Sequence, residues 1–303
     1  MNNIQSPITG NKVKFEQTIL VSEIVKKYRQ NFTIDVSKYF SANQNISIYK
    51  CIDTGYRFYY PFNIIGDSHF YEQLQQYDWY YMPWKWEHQK ASEYINKNMQ
   101  VLEIGCAKGD FIARIQKNIG CNCIGLEYNE STKEFVEQLE VLIINESIQD
   151  FSKKHKEEFD VVCSFQVLEH VPEVKDFIEA QLLSLKIGGK LIISVTNNNS
   201  FTKQDKENDI LNMPPHHMGL WNKNSLKNIC NPFNLKLYEI KYEPLQKYHY
   251  NWYISIFEKR FLKHILLRKI YYKFNIKKIL TFFLLKLNKL IKGHTMIVIY
   301  IKK

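Results

Sequence analysis

The sequence lacks the features that mark several classes of protein. Its six cysteines lie at positions 51, 106, 121, 123, 163 and 230, and none of them forms a Cys-x-x-Cys pair. A zinc site built on such pairs is therefore not expected, and nothing indicates an oxidising compartment. The first ten residues are polar, without the apolar core of a secretion signal. The longest apolar run, residues 279–285, ends at Lys286, well short of the ~18 residues that a spanning helix needs. These features predict a cytoplasmic protein.

Basic excess is also missing from most of the chain. The net charge is +10, but residues 251–303 contain thirteen Lys or Arg and one acid, Glu258, which gives +12. The other 250 residues therefore sum to −2 (10 minus 12). The positive charge therefore indicates a partner that binds the C-terminal segment, and it does not indicate a partner of the rest of the protein. The alternative is a lysine-rich chain that places lysine on any solvated face.

Aromatic residues are dense near the N-terminus, at 56–62 and 77–86. Aromatic side chains bury large areas, and Tyr and Trp keep one polar group, so they suit packing interfaces and ligand walls. We interpret residues 1–90 as an N-terminal cap or substrate region, with a substrate-facing lid as the alternative. Residues 91–303 then form the main domain.

Strand and helix patterns alternate between residues 91 and 245. Strands are predicted at 99–104, 121–126, 141–144, Phe159–Phe165, 191–195 and 235–242, and a strongly β-prone strand at 293–303 ends the chain. Helices are predicted at Asp110–Ile119, 130–139, 174–185 (ended by Gly188 and Gly189) and 224–230. This order predicts a parallel sheet covered on both faces, with its ligand at the carboxyl ends of the strands.

The turn after the first of these strands is built from small residues. Gly105, Ala107 and Gly109 occupy alternate positions between the strand and the helix that follows. Small side chains let a ligand approach the backbone, and the start of the helix offers unpaired amides. A dinucleotide site would need Gly-x-Gly-x-x-Gly, whereas this loop reads Gly-Cys-Ala-Lys-Gly-Asp. The spacing therefore excludes the pyrophosphate site.

The segment Glu103-x-Gly105-x-Ala107-x-Gly109 resembles the first motif of class I S-adenosylmethionine (SAM)-dependent methyltransferases, with alanine at the frequent middle glycine. The turn into the strand at 185–194 is also similar to that family. The resemblance implies a Rossmann-like α/β sheet of seven strands with helices on both faces. Its last strand is antiparallel and forms a hairpin with the sixth across a basic helical insertion, 246–293. The implied cofactor is SAM.

The resemblance also implies which residues hold the cofactor. Glu127 ends the second strand, where the family places an acid, and a carboxylate can accept charge-assisted hydrogen bonds from both ribose hydroxyls. The family contacts adenine after the third strand, which favours Ser147 and Ile148, and Gln166 at the end of the fourth strand is expected to line the site. The full set is Glu103, Gly105, Cys106, Ala107, Gly109, Glu127, Tyr128, Ser147, Ile148, Ser164, Phe165 and Gln166. A cap on backbone amides is the alternative for Glu103, and Glu169 with His170 reads as a helix start without a catalytic role.

A catalytic base is expected in the segment Met213-Pro-Pro-His-His-Met-Gly-Leu-Trp221. Two prolines stiffen the backbone beside two imidazoles, and histidine titrates near neutral pH. Similar segments occur in methyltransferases of bacterial surface glycans and of small-molecule O-methylation. We therefore predict that His217 or His216 deprotonates a hydroxyl of a small-molecule or glycan acceptor, as in polysaccharide biosynthesis. The alternative is a pair of hydrogen-bonded histidines in a rigid loop, and no metal is expected from two imidazoles alone.

Leucines and aromatics alternate with lysines in the basic segment. This pattern predicts peripheral contact of residues 258–292 with an anionic membrane, at the inner surface, and suits a lipid-linked acceptor. The alternatives are a helical hairpin over the substrate cleft and a dimer contact. Nucleic acid is not an expected partner, because the body has no basic excess. Two rival functions remain: an RNA or protein methyltransferase, and a non-catalytic SAM-binding scaffold.

Overall fold

The computed structural model describes residues 4–40, 43–77, 80, 82–128, 141–205, 209–262 and 265–303. Its strands are β1 (Val13–Leu20), β2 (Asn45–Cys51), β3 (Arg57–Tyr60), β4 (Gln100–Ile104), β5 (Asn122–Leu126), β6 (Leu142–Ile144), β7 (Phe159–Phe165), β8 (Leu185–Thr196), β9 (Gly219–Leu220), β10 (Leu235–Pro244) and β11 (Lys292–Lys302). Its α-helices are α1 (Val21–Phe32), α2 (Ser68–Gln75), α3 (Trp86–Ser92), α4 (Asp110–Ile119), α5 (Ile148–Lys154), α6 (Val174–Ser184), α7 (Lys223–Asn228), α8 (Tyr250–Phe261), α9 (Ile265–Lys273) and α10 (Ile276–Leu287).

The larger sheet has seven strands in the order β10-β11-β8-β7-β4-β5-β6. Strand β4 pairs in parallel with β5 and β7, and β7 pairs in parallel with β8. Strand β11 runs antiparallel to both β8 and β10. The predicted seven-stranded Rossmann-like sheet with a reversed last strand is therefore confirmed.

Burial explains why the central elements form where the sequence predicts them. Val161, Val162 and Cys163 in β7 are all fully buried, as expected for a strand covered on both faces. Helix α4 buries Phe111, Ile112 and Ile115, which lie on one face of the helix. It begins after Gly109 and ends before Gly120, and both glycines are in the left-handed backbone region. The helix thus has the bounds predicted for it.

The prediction for residues 174–195 was wrong in one respect. Helix α6 ends at Ser184, and Gly188 and Gly189 lie inside the long strand β8 instead of ending the helix. Leu185 pairs with Phe159 of β7, but the register shifts before Val161, which pairs with Lys190. The two glycines occupy this irregularity, where Gly188 has a φ of 77°. The predicted helix at 130–139 lies outside the described residues.

The N-terminal region forms a second sheet that includes a strand from the main domain. Its order is β1-β2-β3-β9, and β9 comes from the loop that also carries the two histidines of the Pro-Pro-His-His segment. The Tyr56 and Trp221 rings, 4.1 Å apart between centroids, pack beside this junction. The proposed domain boundary at residue 90 stays a prediction. Helix α3 runs across that position.

The segment between β10 and β11 contains helices α8, α9 and α10. Trp252 Nε1 and Lys259 Nζ of α8 donate to the buried Asp205 carboxylate at 2.8 and 3.1 Å, which attaches this helix to the loop after β8. Tyr250 Oη donates to the Leu284 carbonyl at 3.2 Å and joins α8 to α10. None of the helices in the described ranges combines the length and apolar composition needed to cross a bilayer.

Because β11 lies inside the sheet, its apolar side chains should dominate stability. We expect Ile299→Ala to lower the free energy of unfolding by about 2–5 kcal/mol, since Ile299 is fully buried. Ile52→Ala is the matched control: Ile52 is 64% exposed, and its loss should change stability by less than about 0.5 kcal/mol. Urea unfolding followed by circular dichroism measures both, and equal values for the two variants would contradict the strand assignment.

Candidate active site

The cofactor loop lies at the carboxyl end of β4 and is closed by backbone hydrogen bonds. The amides of Gly105 and Cys106 both donate to the Leu126 carbonyl, at 2.8 and 3.1 Å. The Ala107 amide donates to Oε2 of Glu127 at 2.8 Å. The loop and the acid predicted to bind ribose therefore meet at the ends of two adjacent parallel strands.

Two glycines in this loop have left-handed backbones and lie close to neighbouring side chains, so a larger residue at either position would be strained. Gly105 has a φ of 71°, and a Cβ there would lie 2.6 Å from Cγ2 of Val167. Gly109 has a φ of 80°, and a Cβ there would lie 2.8 Å from Cδ1 of Ile143. Ala107, at the position where the family often has glycine, also has a left-handed backbone, with a φ of 47°. A left-handed alanine is strained by roughly 1–2 kcal/mol, so the turn is held in shape by its surroundings.

Carboxylates concentrate around the loop. Glu103 is 4% exposed, and its Oε2 atom has no hydrogen-bond partner in the described structure. Burial raises the pKa of Glu103 well above its usual value, and the charges of Glu127 and Asp110 add to the rise. A cationic ligand would stabilise the ionised carboxylates, whereas an anionic pyrophosphate would be repelled. The loop therefore fits a ligand with a positive charge, such as the sulfonium and ammonium groups of SAM.

The remaining residues predicted to bind the cofactor occupy different environments. Tyr128 is 77% exposed, and its carbonyl accepts from Asn145 Nδ2 at 3.1 Å. Ser147 caps α5, its Oγ accepting from the Asp150 amide, while Ile148 is buried in the core. Cys106 is also buried, which leaves its backbone as the part that can contact a ligand. The binding roles of these residues stay predictions.

The end of β7 joins the cofactor loop to the second half of the site. Ser164 is fully buried and Phe165 packs at 4.9 Å against the rings of His88 and Phe111. Gln166, with a φ of 55°, donates from Nε2 to Ser194 Oγ at 3.3 Å, and its Oε1 accepts from Thr196. Gln166 thus links the ends of β7 and β8, and its role in lining the site stays a prediction.

Three histidines meet beyond this edge. His216 and His217 stack with ring centroids 4.4 Å apart, and His170 stands edge-on to them at 4.6 and 4.8 Å. The amides of Met218 and Gly219 both donate to the Glu169 carbonyl, which fixes the histidine loop against the end of β7. The sequence interpretation gave His170 no catalytic role. Its position directly after the fourth predicted strand was the sequence feature that could have indicated a place at the carboxyl edge of the sheet.

The hydrogen bonds of the cluster assign the ring protons. His216 Nδ1 lies 2.8 Å from the Leu211 carbonyl, which can only accept, so Nδ1 carries the proton. His216 Nε2 then accepts from the Tyr80 hydroxyl at 2.8 Å. His170 likewise donates from Nδ1 to the His216 carbonyl at 2.6 Å. Both nitrogens of His216 are therefore engaged.

His217 differs from His216 in that its Nε2 atom keeps a lone pair. Asn212 Nδ2 donates to Asn198 Oδ1 at 2.6 Å and to Asp209 Oδ2 at 3.3 Å, so its Oδ1 faces His217 as an acceptor. His217 Nδ1 donates to this oxygen at 3.2 Å. The neutral ring consequently carries its lone pair on Nε2. Burial, together with the neighbouring His216, His170 and His294, holds the pKa of His217 well below its usual value.

The same three histidines come close enough to be considered as metal ligands, because one ring nitrogen of each lies within 4.8 Å of the others. A metal would need a lone pair from every ring. His216 has none to give while Leu211 and Tyr80 hold its two nitrogens. Hydrogen bonding therefore accounts for this cluster, and the expectation of no metal stays a prediction.

The seven-stranded sheet is mostly parallel, and its first strand in chain order, β4, enters a tight turn faced by carboxylates. These features define a Rossmann-like, nucleoside-binding fold. The sequence model of a family described as "Methyltransferase domain" matches residues 79–240, more than half of the chain. The chain belongs to this methyltransferase family, and its cofactor is S-adenosylmethionine, as the loop motif implies.

Individual relatives are distant. The ubiquinone biosynthesis O-methyltransferases of Salmonella typhimurium and Salmonella typhi are 27% identical over 106 residues, covering 33% of this chain and 43% of theirs. The chain thus spans less than half of the length of these curated relatives. A SAM-dependent methyltransferase from Archaeoglobus fulgidus has a TM-score of 0.49 and 17% identity, with 71% of this chain and 90% of that chain covered. A geranyl diphosphate C-methyltransferase from Streptomyces coelicolor A3(2) has a TM-score of 0.45 and 10% identity, with 71% and 79% covered.

The buried Glu169 makes stability depend on pH. Its Oε1 accepts from the Thr196 amide at 2.9 Å and shares the Thr196 hydroxyl proton with Gln166, at 3.2 Å, while Oε2 has no partner in the described structure. Burial raises the pKa of Glu169 to about 7, above its usual 4.5. The folded state therefore holds this proton more tightly, so its contribution is complete below pH 4.5 and is lost as pH rises through 7.

We expect Glu169→Gln to remove this dependence while keeping a carbonyl acceptor for Thr196. The free energy of unfolding of the wild type should fall from pH 5 to pH 8 by up to about 3 kcal/mol more than that of the variant. Urea unfolding at one-unit pH intervals measures the difference. Parallel profiles for the two proteins would show that Glu169 does not titrate in this range.

Proposed function

We propose that this methyltransferase moves a methyl group from SAM to a hydroxyl of a small-molecule or glycan acceptor, with His217 as the general base. The observation that carries the proposal is the Nε2 lone pair of His217, set by Asn212 beside the carboxyl edge of the sheet. The curated relatives are named O-methyltransferases, which supports an oxygen acceptor.

When bound, SAM supplies an electrophilic methyl carbon on a positively charged sulfur. Glu103, Glu127 and the small residues of the loop would hold the donor, since the carboxylates match its positive charge and the small side chains allow a close approach to the backbone. The protein's main contribution is to hold the acceptor in line, an effect worth up to about 7–11 kcal/mol. His217 would accept the proton of the acceptor hydroxyl on Nε2 as the methyl group is transferred, and the bond electrons would remain with the donor's sulfur as a neutral thioether.

The other histidines act as positioning residues in this scheme. His216 stacks on His217 and is held by Leu211 and Tyr80. Asp209 accepts from Asn212, the residue that sets the His217 tautomer. Burial raises the pKa of Asp209 to about 6. His217 therefore lies at the end of a hydrogen-bonded chain from Asp209 through Asn212, which fixes the orientation and the tautomer of the ring.

Replacing His217 tests the base directly. We expect His217→Ala to lower kcat by about 10²–10⁴-fold, the usual range for a lost general base. His216→Ala should have a smaller effect, because this ring offers no lone pair to the substrate. His155→Ala is a control, since that partly exposed side chain pairs with Glu158 outside the site. Wild-type turnover in His217→Ala would reject the role.

The pH profile gives a second test. Because its pKa lies well below 6.5, His217 remains neutral and able to accept a proton at pH 6. We expect kcat/KM to be nearly constant between pH 8 and pH 6, where an ordinary histidine would already be more than half protonated. Initial rates in buffers of constant ionic strength measure this. An acid limb with a midpoint near 6.5 would point to an exposed base elsewhere.

The acceptor class is tested by labelling. A lysate of the source cell is incubated with the enzyme and radiolabelled SAM, and then separated into lipid, glycan, RNA and protein. We expect label in the glycan, small-molecule or lipid-linked fraction, as an ether that survives mild alkali. Label in RNA or protein supports the first rival function. SAM binding by calorimetry without any labelled product supports a non-catalytic scaffold.

A further inference from the structure

The segment from Leu267 to Leu290 exposes an unusual amount of apolar surface. Ten large apolar side chains are exposed there, as many as in the rest of the described chain. Phe274 is 61% exposed, and Ile279, Phe282 and Phe283 are 49%, 53% and 52% exposed. Scattered apolar residues on a surface are ordinary, but a contiguous group marks an interaction site.

The way α10 is attached shows that this surface faces outward. Leu284 is the one described buried side chain of the helix, at 8% exposure, and its carbonyl accepts from Tyr250 of α8. At about 100° per residue, Ile279, Phe282 and Phe283 point away from Leu284 by roughly 100–160°. Packing against α8 therefore uses the opposite side of the helix and leaves these side chains to solvent.

Lysines surround the same side chains. Lys277, Lys278, Lys286 and Lys289 are all exposed, and Lys286 Nζ lies 4.6 Å from the centre of the Phe282 ring. The single acid of residues 251–303, Glu258, accepts a hydrogen bond from Tyr271 at 2.6 Å. The surface thus combines a strong positive potential with exposed rings, as interfacial helices do.

The helices are too short to span a bilayer and suit lying on one. The nine residues of α9 and twelve of α10 extend about 14 and 18 Å, against a hydrocarbon core of about 30 Å. A nucleic-acid duplex would pair with the lysines and leave the rings in water, and a single strand, whose bases can stack on rings, would still leave the exposed leucines and isoleucines in water. A second copy of this segment, which has seven Lys or Arg and no acid between residues 267 and 290, would bring +7 against +7. An anionic bilayer satisfies both the charges and the apolar side chains.

We propose that the exposed faces of α9 and α10, called here the basic apolar face (residues 267–290), hold the protein on a bilayer of anionic phospholipids. The rings enter the boundary between headgroups and acyl chains, and the lysines pair with lipid phosphates. This inference does not rest on the proposed hydroxyl acceptor, because membrane binding is measured without donor or acceptor.

Vesicle co-sedimentation of the full chain tests it. We expect binding to vesicles of phosphatidylglycerol and phosphatidylcholine, weakening as salt is raised, and little binding to phosphatidylcholine alone. Lys277→Gln together with Lys278→Gln should weaken partitioning of the protein onto the anionic vesicles by about thirtyfold, because each lost charge contributes on the order of tenfold or less. Phe282→Ser with Phe283→Ser should weaken it by at least about tenfold. Ile52→Ser with Ile187→Ser, which removes two side chains exposed at 64% and 70%, should bind as the wild type.

Circular dichroism and SAM calorimetry on each variant confirm that the fold is kept. Absence of binding to anionic vesicles would overturn the proposal, as would equal binding by the wild type and both variants of the basic apolar face. Salt-sensitive binding of an RNA oligonucleotide without vesicle binding assigns the face to nucleic acid. The face is assigned to a dimer contact if the protein does not bind vesicles and its molecular mass doubles as its concentration rises. In that case Phe282→Ser with Phe283→Ser should restore the mass of one copy.

Discussion

The parallel pairing of β4 with β5 on one side and β7 on the other brings the carboxyl ends of three strands together. Leu126 at the end of β5 accepts from two loop amides, and Glu127 accepts from a third. The end of β7 carries Gln166 toward β8 and sets His170 beside the histidine loop. The donor loop and the histidine loop are thus brought to one edge by the same backbone arrangement, and the histidine loop is also held by the N-terminal region through the pairing of β9 with β3 and the Tyr80 hydrogen bond to His216.

The charges at this edge explain why the same fold selects one nucleoside ligand over another. Glu103 is buried with an unpartnered oxygen, and its carboxyl feels the charges of Glu127 and Asp110. Such a group is costly to ionise until a positive charge arrives. The tight turn alone would admit any ligand with an exposed ribose, so the carboxylates are what make a sulfonium compound suit this site better than a pyrophosphate.

Local patterns in the sequence predicted the elements whose stability is local. Helix α4 and strand β7 have the predicted bounds. A buried apolar face and two glycine ends define the helix, and a run that is apolar apart from Asp160 and Ser164 defines the strand. The glycine pair at 188–189 misled the prediction, since its conformation is set by pairing with β7 and not by the preceding helix. The pairing of β9 with β3 and the contact between His170 and His217 join residues that are distant in sequence. A local hydrophobic pattern does not predict such contacts.

In the proposed reaction, the low pKa that burial gives His217 makes it a weak base. The proposed acceptor hydroxyl, however, becomes far more acidic once its oxygen begins to bond to the methyl carbon. A phenolic hydroxyl, with a pKa of about 10, or an even weaker acid, gives little anion before that point. The base is therefore needed only as the bond forms, and its position matters more than its strength. Fixing the Nε2 lone pair through Asn212, at the expense of basicity, is consistent with a reaction in which alignment supplies most of the rate.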